Sequence, residues 1–266
     1  MIAALPMYDF AGTAGALDAV WEYIGARLRA AGVDAPLRLT RVSDLAAQWR
    51  DPGLLLGQTC GYPYRRSLKD VVEIIATPKF GFEGCEGADH CSFLIVRRDD
   101  PRAKLSDFRG ARAAINARDS NTGMNLFRAA VAPQARDGRF FGEVIVTGAH
   151  AASLAAITAG EADIAAVDCV SFGLIARFDP AAVSDIRILA RTPASPGLPF
   201  IASRGLPPEV RAATRVALLA ALAAPRLRAA WKTLGIVGAA VMSTNEYERI
   251  DKIEAEAIAL GLRQFC

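Results

Sequence analysis

Short runs of aliphatic and β-branched residues alternate with helical patterns along nearly the whole chain, and this alternation restricts the fold more than any other feature. The runs are "IAALPM", "LRLTRV", "GLLLGQT", "VVEIIATP" and "CSFLIVRR", then "RAAIN", "EVIVTG", "DIAAVD", "IRILAR" and "LPFIAS". Helical patterns fall between them, over residues 14–31, 122–135, 151–159, 207–223 and 245–260. Strands in regular alternation with helices predict an α/β architecture with largely parallel sheets. With 266 residues, 52% of them hydrophobic, the chain can fill two cores of ordinary size.

Two composition shifts divide it. The charged segment "RRDDPRAKLSDFRGARAAI" carries a proline and a short helix before a new strand. In "ARTPASPGLPFIAS", Pro193, Pro196, Gly197 and Pro199 forbid a helix and favour an extended crossing. Two crossings predict a discontinuous lobe, 1–97 plus 192–266, around an inserted lobe, 98–191. A cleft between such lobes is where strand ends and ligands meet.

Charge excludes some functions. The 31 Lys and Arg are nearly balanced by 28 Asp and Glu, and no dense basic run interleaved with aromatics marks a nucleic-acid partner. No window reaches the ~18 consecutive apolar residues of a membrane span. The opening "MIAALPMYDF" reads as a strand rather than a secretory signal, so the expected location is cytoplasmic, or periplasmic if a signal has been removed. Among five cysteines, Cys85 and Cys91 flank "EGADH" and could meet across a turn as a disulfide or stay as free thiols. His90 would make three ligands there but no fourth is near, so neither a metal nor another cofactor is expected.

The stretch richest in chemistry is "AINARDSNTGMNLFRAA". A strand closes on Asn116, a small polar cluster follows, and a helix begins. Such a strand-to-helix turn presents unpaired backbone N–H groups to an anion. Ser120 and Thr122 add hydroxyls, Asn121 an amide, and Gly123 lets an oxyanion approach without a Cβ in the way. An ordinary helix cap explains the same residues.

Three more strand exits carry polar groups. In "VTGAHAASLAAITAGEADIAAVDCVSF", His150 starts a helix and can donate to an oxyanion, while Asp168 ends a strand and can accept from a ligand amine or hydroxyl. A surface histidine and an Asp that caps the next helix are the plainer readings. "GQTCGYPYRR" delivers Gly61 and Tyr62, and "LPMYDF" delivers Tyr8 and Asp9. For the first of these the plainer reading is a turn with a packed tyrosine.

Taken in order, "LPMYD", "LLLGQTCGYP", "LSDFRGARAAINARDSNTGMNLFR" and "GAHAASLAAITAGEADIAAVD" resemble the substrate-binding proteins of phosphonate, phosphate and phosphite ABC transporters, over nearly the whole chain. The resemblance implies a two-lobed type II periplasmic-binding fold with a ligand cleft between the lobes. It implies that residues 120–123 wrap the oxyanion with His150, that Tyr8 and Tyr62 line the other lobe, and that acidic groups near Asp168 meet a ligand amine. The Ser-Asn-Thr order departs from the family's Ser-Thr-Ser.

The expected function is capture of a small phosphonate- or phosphate-like anion by a monomer and its delivery to an ABC permease, with no catalytic residue. The alternative is a cytoplasmic enzyme on the same fold acting on a small carboxylate, of the chorismate-dehydratase kind, with Asp168 or His150 as acid or base.

Overall fold

The computed structural model describes residues 1–41, 44–262 and 265. The chain forms two compact units, Met1–Gly81 with Gly197–Glu246, and Phe82–Pro196 with Tyr247–Cys266. The discontinuity foreseen from the prolines is present, but the crossings lie at 81/82, 196/197 and 246/247 rather than near 97 and 192. The reason is pairing. Strand Ser92–Arg97 lies between Ile186–Arg191 and Ile164–Asp168 in the sheet of the second unit. Helix Glu248–Ala259 packs on Leu126–Val131 of that same unit.

The first unit is built on a five-stranded sheet in the order Ile2–Ala4, Leu54–Gln58, Phe200–Ser203, Val72–Phe80, Ile236–Ala240. Leu54, Leu55 and Leu56 are fully buried, so this strand is apolar on both faces, as a central strand under helices must be. Helix Ala14–Ala30 covers the sheet with Leu17, Val20, Trp21, Ile24 and Leu28, recurring at three- and four-residue spacing. Trp21 Nε1 donates to the Pro36 carbonyl at 3.1 Å, so burying the indole leaves no unmet donor. Ile236–Ala240 follows Gly235, which ends helix Arg228–Leu234 in the left-handed conformation at φ 71°.

The second unit repeats the plan with Ile186–Arg191, Ser92–Arg97, Ile164–Asp168, Arg112–Ile115 and Glu143–Val146. The sheets are mixed rather than largely parallel: Phe200–Ser203 and Ile236–Ala240 run against their neighbours, as do Ser92–Arg97 and Ile186–Arg191. Ser92–Arg97 and Phe200–Ser203, the first long strands after a crossing, enter their sheets from the opposite end, which residue alternation alone does not reveal. The strand expected from "LRLTRV" does not form over residues 37–41, and Val42 lies outside the described residues.

One set of strands is parallel throughout. Arg112–Ile115 pairs in parallel with both Glu143–Val146 and Ile164–Asp168, so all three carboxyl ends reach the same edge of the sheet. No helix among the described residues is long and apolar enough to cross a membrane.

Candidate functional site

At that edge of the second unit, Asn116, His150 and Asp168 leave three neighbouring strands. Residues 120–123 follow Asn116. Ser120 caps the turn, its Oγ accepting from Gly123 N at 3.0 Å, which answers one of the helix's unmet donors. The next five residues, Asn121–Asn125, form a widened helical turn that passes into Leu126–Val131. Widened turns of this kind recur at functional sites because they re-aim side chains without ending the helix.

Thr122 Oγ1 stands 3.1 Å from His150 Nε2. Its own carbonyl accepts from Ser92 Oγ at 2.8 Å, which fixes the residue's backbone. His150 opens helix His150–Thr158, and its Nδ1 is buried with no hydrogen-bond partner. Burial pulls the His150 pKa below the ordinary imidazole value; the Asp168 charge opposes this and His90 adds to it. His150 is therefore a neutral ring at neutral pH, able to donate through one nitrogen and accept through the other.

The other members of the polar cluster also hold the frame of the turn. Asn121, fully buried, donates from Nδ2 to Ser195 Oγ at 2.7 Å and accepts at Oδ1 from Asn125 Nδ2 at 3.1 Å. It is an internal strut. At Gly123 a Cβ would fall 1.8 Å from Asn116 Oδ1, so packing alone requires glycine there. That Asn116 oxygen is buried without a hydrogen-bond partner.

Asp168 takes the capping role. Oδ1 accepts from Val170 N at 3.1 Å and lies 3.3 Å from His90 Nδ1, while Oδ2 accepts from Ser171 Oγ at 3.1 Å and Ser171 N at 3.4 Å. With the residue 2% exposed, the carboxylate caps helix Cys169–Phe178 and faces His90. His90 Nε2 is buried and unpartnered. Cys85 and Cys91 are free thiols, and Cys85 Sγ faces Cys169 Sγ. Among the described residues no group is arranged to hold a metal ion.

Behind the turn lies a buried chain that sequence reading missed. Asn125 Oδ1 accepts from Arg128 Nη2 at 2.8 Å, and the same nitrogen pairs with Glu254 Oε1 at 2.9 Å. Asn121, Asn125 and Arg128 recur at the spacing of one helical face, a signal present in the sequence. Ser195 and Glu254 arrive from distant segments and gave none.

In the first unit, strands Ile2–Ala4 and Leu54–Gln58 are parallel, so their exits also share an edge. Tyr8 is 5% exposed, its ring edge-on to Phe80 at 5.3 Å and lining a small apolar cavity with Leu17, Leu56 and Trp231. Its ring is packed into the core of the first unit. Asp9 pairs with Arg41 at 2.8 Å. Gly61 opens a short helical turn, Gly61–Pro63, in which Tyr62 OH accepts from Arg66 Nη2 at 3.2 Å and its ring lies 5.2 Å below the guanidinium.

The family model described as "ABC transporter, phosphonate, periplasmic substrate-binding protein" matches residues 2–247. A comparison with curated protein sequences finds no match. Among solved structures, the binding protein component of an ABC phosphonate transporter (PA3383) from Pseudomonas aeruginosa superposes at TM-score 0.76 with 12% identity, over 97% of this chain and 87% of that one. PhnD1 from Prochlorococcus marinus, in complex with methylphosphonate, gives 0.76 and 13%, over 96% and 97%. XAC2383 from Xanthomonas citri, bound to ATP, gives 0.73 and 18%, over 98% and 97%. At these identities the structural likeness speaks for the two-lobed periplasmic-binding fold alone. The family match, running over nearly the whole chain, decides between transport and catalysis: the chain belongs to the periplasmic substrate-binding proteins of phosphonate ABC transporters, a family of transport proteins and not of enzymes.

Proposed function

We propose that this chain captures a phosphonate- or phosphate-like oxyanion at residues 120–123 together with His150, as a monomer in the periplasm, and hands it to its permease. The observation that carries the reading is the Thr122–His150 contact, 3.1 Å, at the edge where three parallel strands end. Ser120 Oγ accepts from Gly123 and keeps its own hydrogen to donate. With the proton on His150 Nε2, the ring donates to Thr122 Oγ1 and leaves the Thr122 hydroxyl hydrogen for the anion. Neutral donors fixed in a packed frame favour a compact oxyanion by hydrogen bonding rather than by net charge. Asn116 stands beside Gly123 as a further contact. In the first unit, Asp9, Gly61 and Tyr62 are proposed contacts on the family resemblance, Tyr62 with its hydroxyl already oriented by Arg66.

Isothermal titration with methylphosphonate, aminoethylphosphonate, phosphate, phosphite and sulfate, followed by recovery of the compound, tests the proposal. Tight binding of one phosphorus oxyanion, recovered unchanged, supports it. Absence of binding to all of them, or consumption of the compound, overturns it.

A further inference from the structure

Three thiols meet in the second unit, away from any role assigned above. Cys85 Sγ lies 3.4 Å from Cys169 Sγ, and Cys91 hydrogen-bonds the same Cys169. They are packed under Gly84, at φ +85°, where a Cβ would come within 2.9 Å of both Cys169 Cβ and Cys91 Sγ. No other residue than glycine fits above them without moving a sulfur. Thiols this close are placed for oxidation to a disulfide.

We propose that Cys85 and Cys169 are an oxidisable dithiol, converted to an intramolecular disulfide by a small-molecule disulfide of the glutathione class. A disulfide needs its sulfurs at about 2.05 Å, so the pair must close by roughly 1.4 Å, within reach of side-chain rotation and a small shift of the surface hairpin that carries Cys85. Cys85 is the accessible thiol; Cys91 and Cys169 are buried. Hydrogen bonding to Cys169 and burial push the Cys91 thiol far above its ordinary pKa, and contact with Cys85 together with burial raises Cys169. Attack therefore starts at Cys85.

The Cys85 thiolate adds to one sulfur of the small disulfide and expels one small thiolate. Cys169 then loses its proton and attacks the Cys85 sulfur of the mixed disulfide, expelling the second. In sum two protein thiols give up two electrons and two protons, and one small disulfide becomes two thiols. The resolving step needs the Cys169 thiolate, so closure accelerates as pH rises above neutrality. The bridge ties hairpin Cys85–Glu86/Asp89–His90 to the first turn of helix Cys169–Phe178.

The test uses the full chain. It is incubated with oxidised glutathione at pH 8, its remaining thiols are alkylated, and it is digested without reduction; cleavage at Glu86 or Asp89 puts Cys85 and Cys91 on different peptides. The expected product joins the Cys85 peptide to the Cys169 peptide with loss of two hydrogens, reverts with dithiothreitol, and still forms in Cys91→Ser. A bridge that uses Cys91, Cys60 or Cys266 instead, arrest at the glutathione adduct of Cys85, or full alkylation of all thiols overturns the proposal.

Discussion

Thr122 Oγ1 and His150 Nε2 are hydrogen-bonded at 3.1 Å, joining the first turn of one helix to the first residue of another at the edge of a single sheet. The hydroxyl and the ring thus hold each other's orientation before any ligand arrives, and orientation fixed in advance lowers the entropic cost of binding.

Thr122→Val keeps the shape of the side chain and removes the hydroxyl. Affinity for the phosphorus oxyanion that the titration above identifies should fall by about 1–3 kcal/mol, the usual cost of leaving a charged partner short of one hydrogen bond. Titration calorimetry at a fixed pH measures this. An unchanged Kd would take Thr122 out of the site.

His150 makes stability depend on pH. Its folded pKa is depressed by burial, so the unfolded chain, with imidazole near the ordinary ~6.5, binds more protons in the window just below that value. Stability should be fully present above about pH 6.5 and fall as pH drops until the folded pKa is passed. Urea unfolding of the parent and of His150→Gln between pH 5 and 8 should show the slope in the parent and a shallower one in the variant. Identical slopes would mean that the ring is not held neutral.

Gly123→Ala places a methyl group 1.8 Å from Asn116 Oδ1. The overlap should cost about 1–3 kcal/mol of stability. Adding Asn116→Gly, which removes the obstructing amide, should restore much of the loss. A double variant no better than the single one would locate the strain elsewhere in the turn.

Arg128 and Glu254 are 5% and 7% exposed and 2.9 Å apart. Removing one member of such a pair leaves a buried charge short of its counterion, so Arg128→Met should destabilise by about 3–5 kcal/mol. Arg128→Met with Glu254→Leu should be milder than the single change. Chemical denaturation of the three proteins decides it; equal losses would show that the pair is not coupled.

Much of this was legible in the sequence because local chemistry is local. Strands Leu54–Gln58, Ser92–Arg97 and Ile164–Asp168 formed where aliphatic runs announced them, and Ser120 caps the turn that its neighbours predicted. What failed was long-range. The run "IVGAA" after Gly235 is too short and mixed to declare a strand, and it forms one because Val72–Phe80 offers it an edge. Nothing in the neighbourhood of Asn121 says that Ser195, brought close by the fold, takes one of its two amide hydrogens. Asp168 could be read as cap or as ligand group, and only the positions of Val170, Ser171 and His90 favour the cap.

The return of the chain to the second unit at Tyr247 also orders events in time. A ribosome making this protein completes Asn121, Asn125 and Arg128 long before it reaches Glu254, and it must make residues 197–246 of the first unit in between. Until then Arg128 lacks its carboxylate, and the turn that carries Thr122 lacks the support behind it. The second unit's sheet can be assembled early, but the scaffold behind its Thr122 turn is finished only after the first unit has received its entire sequence.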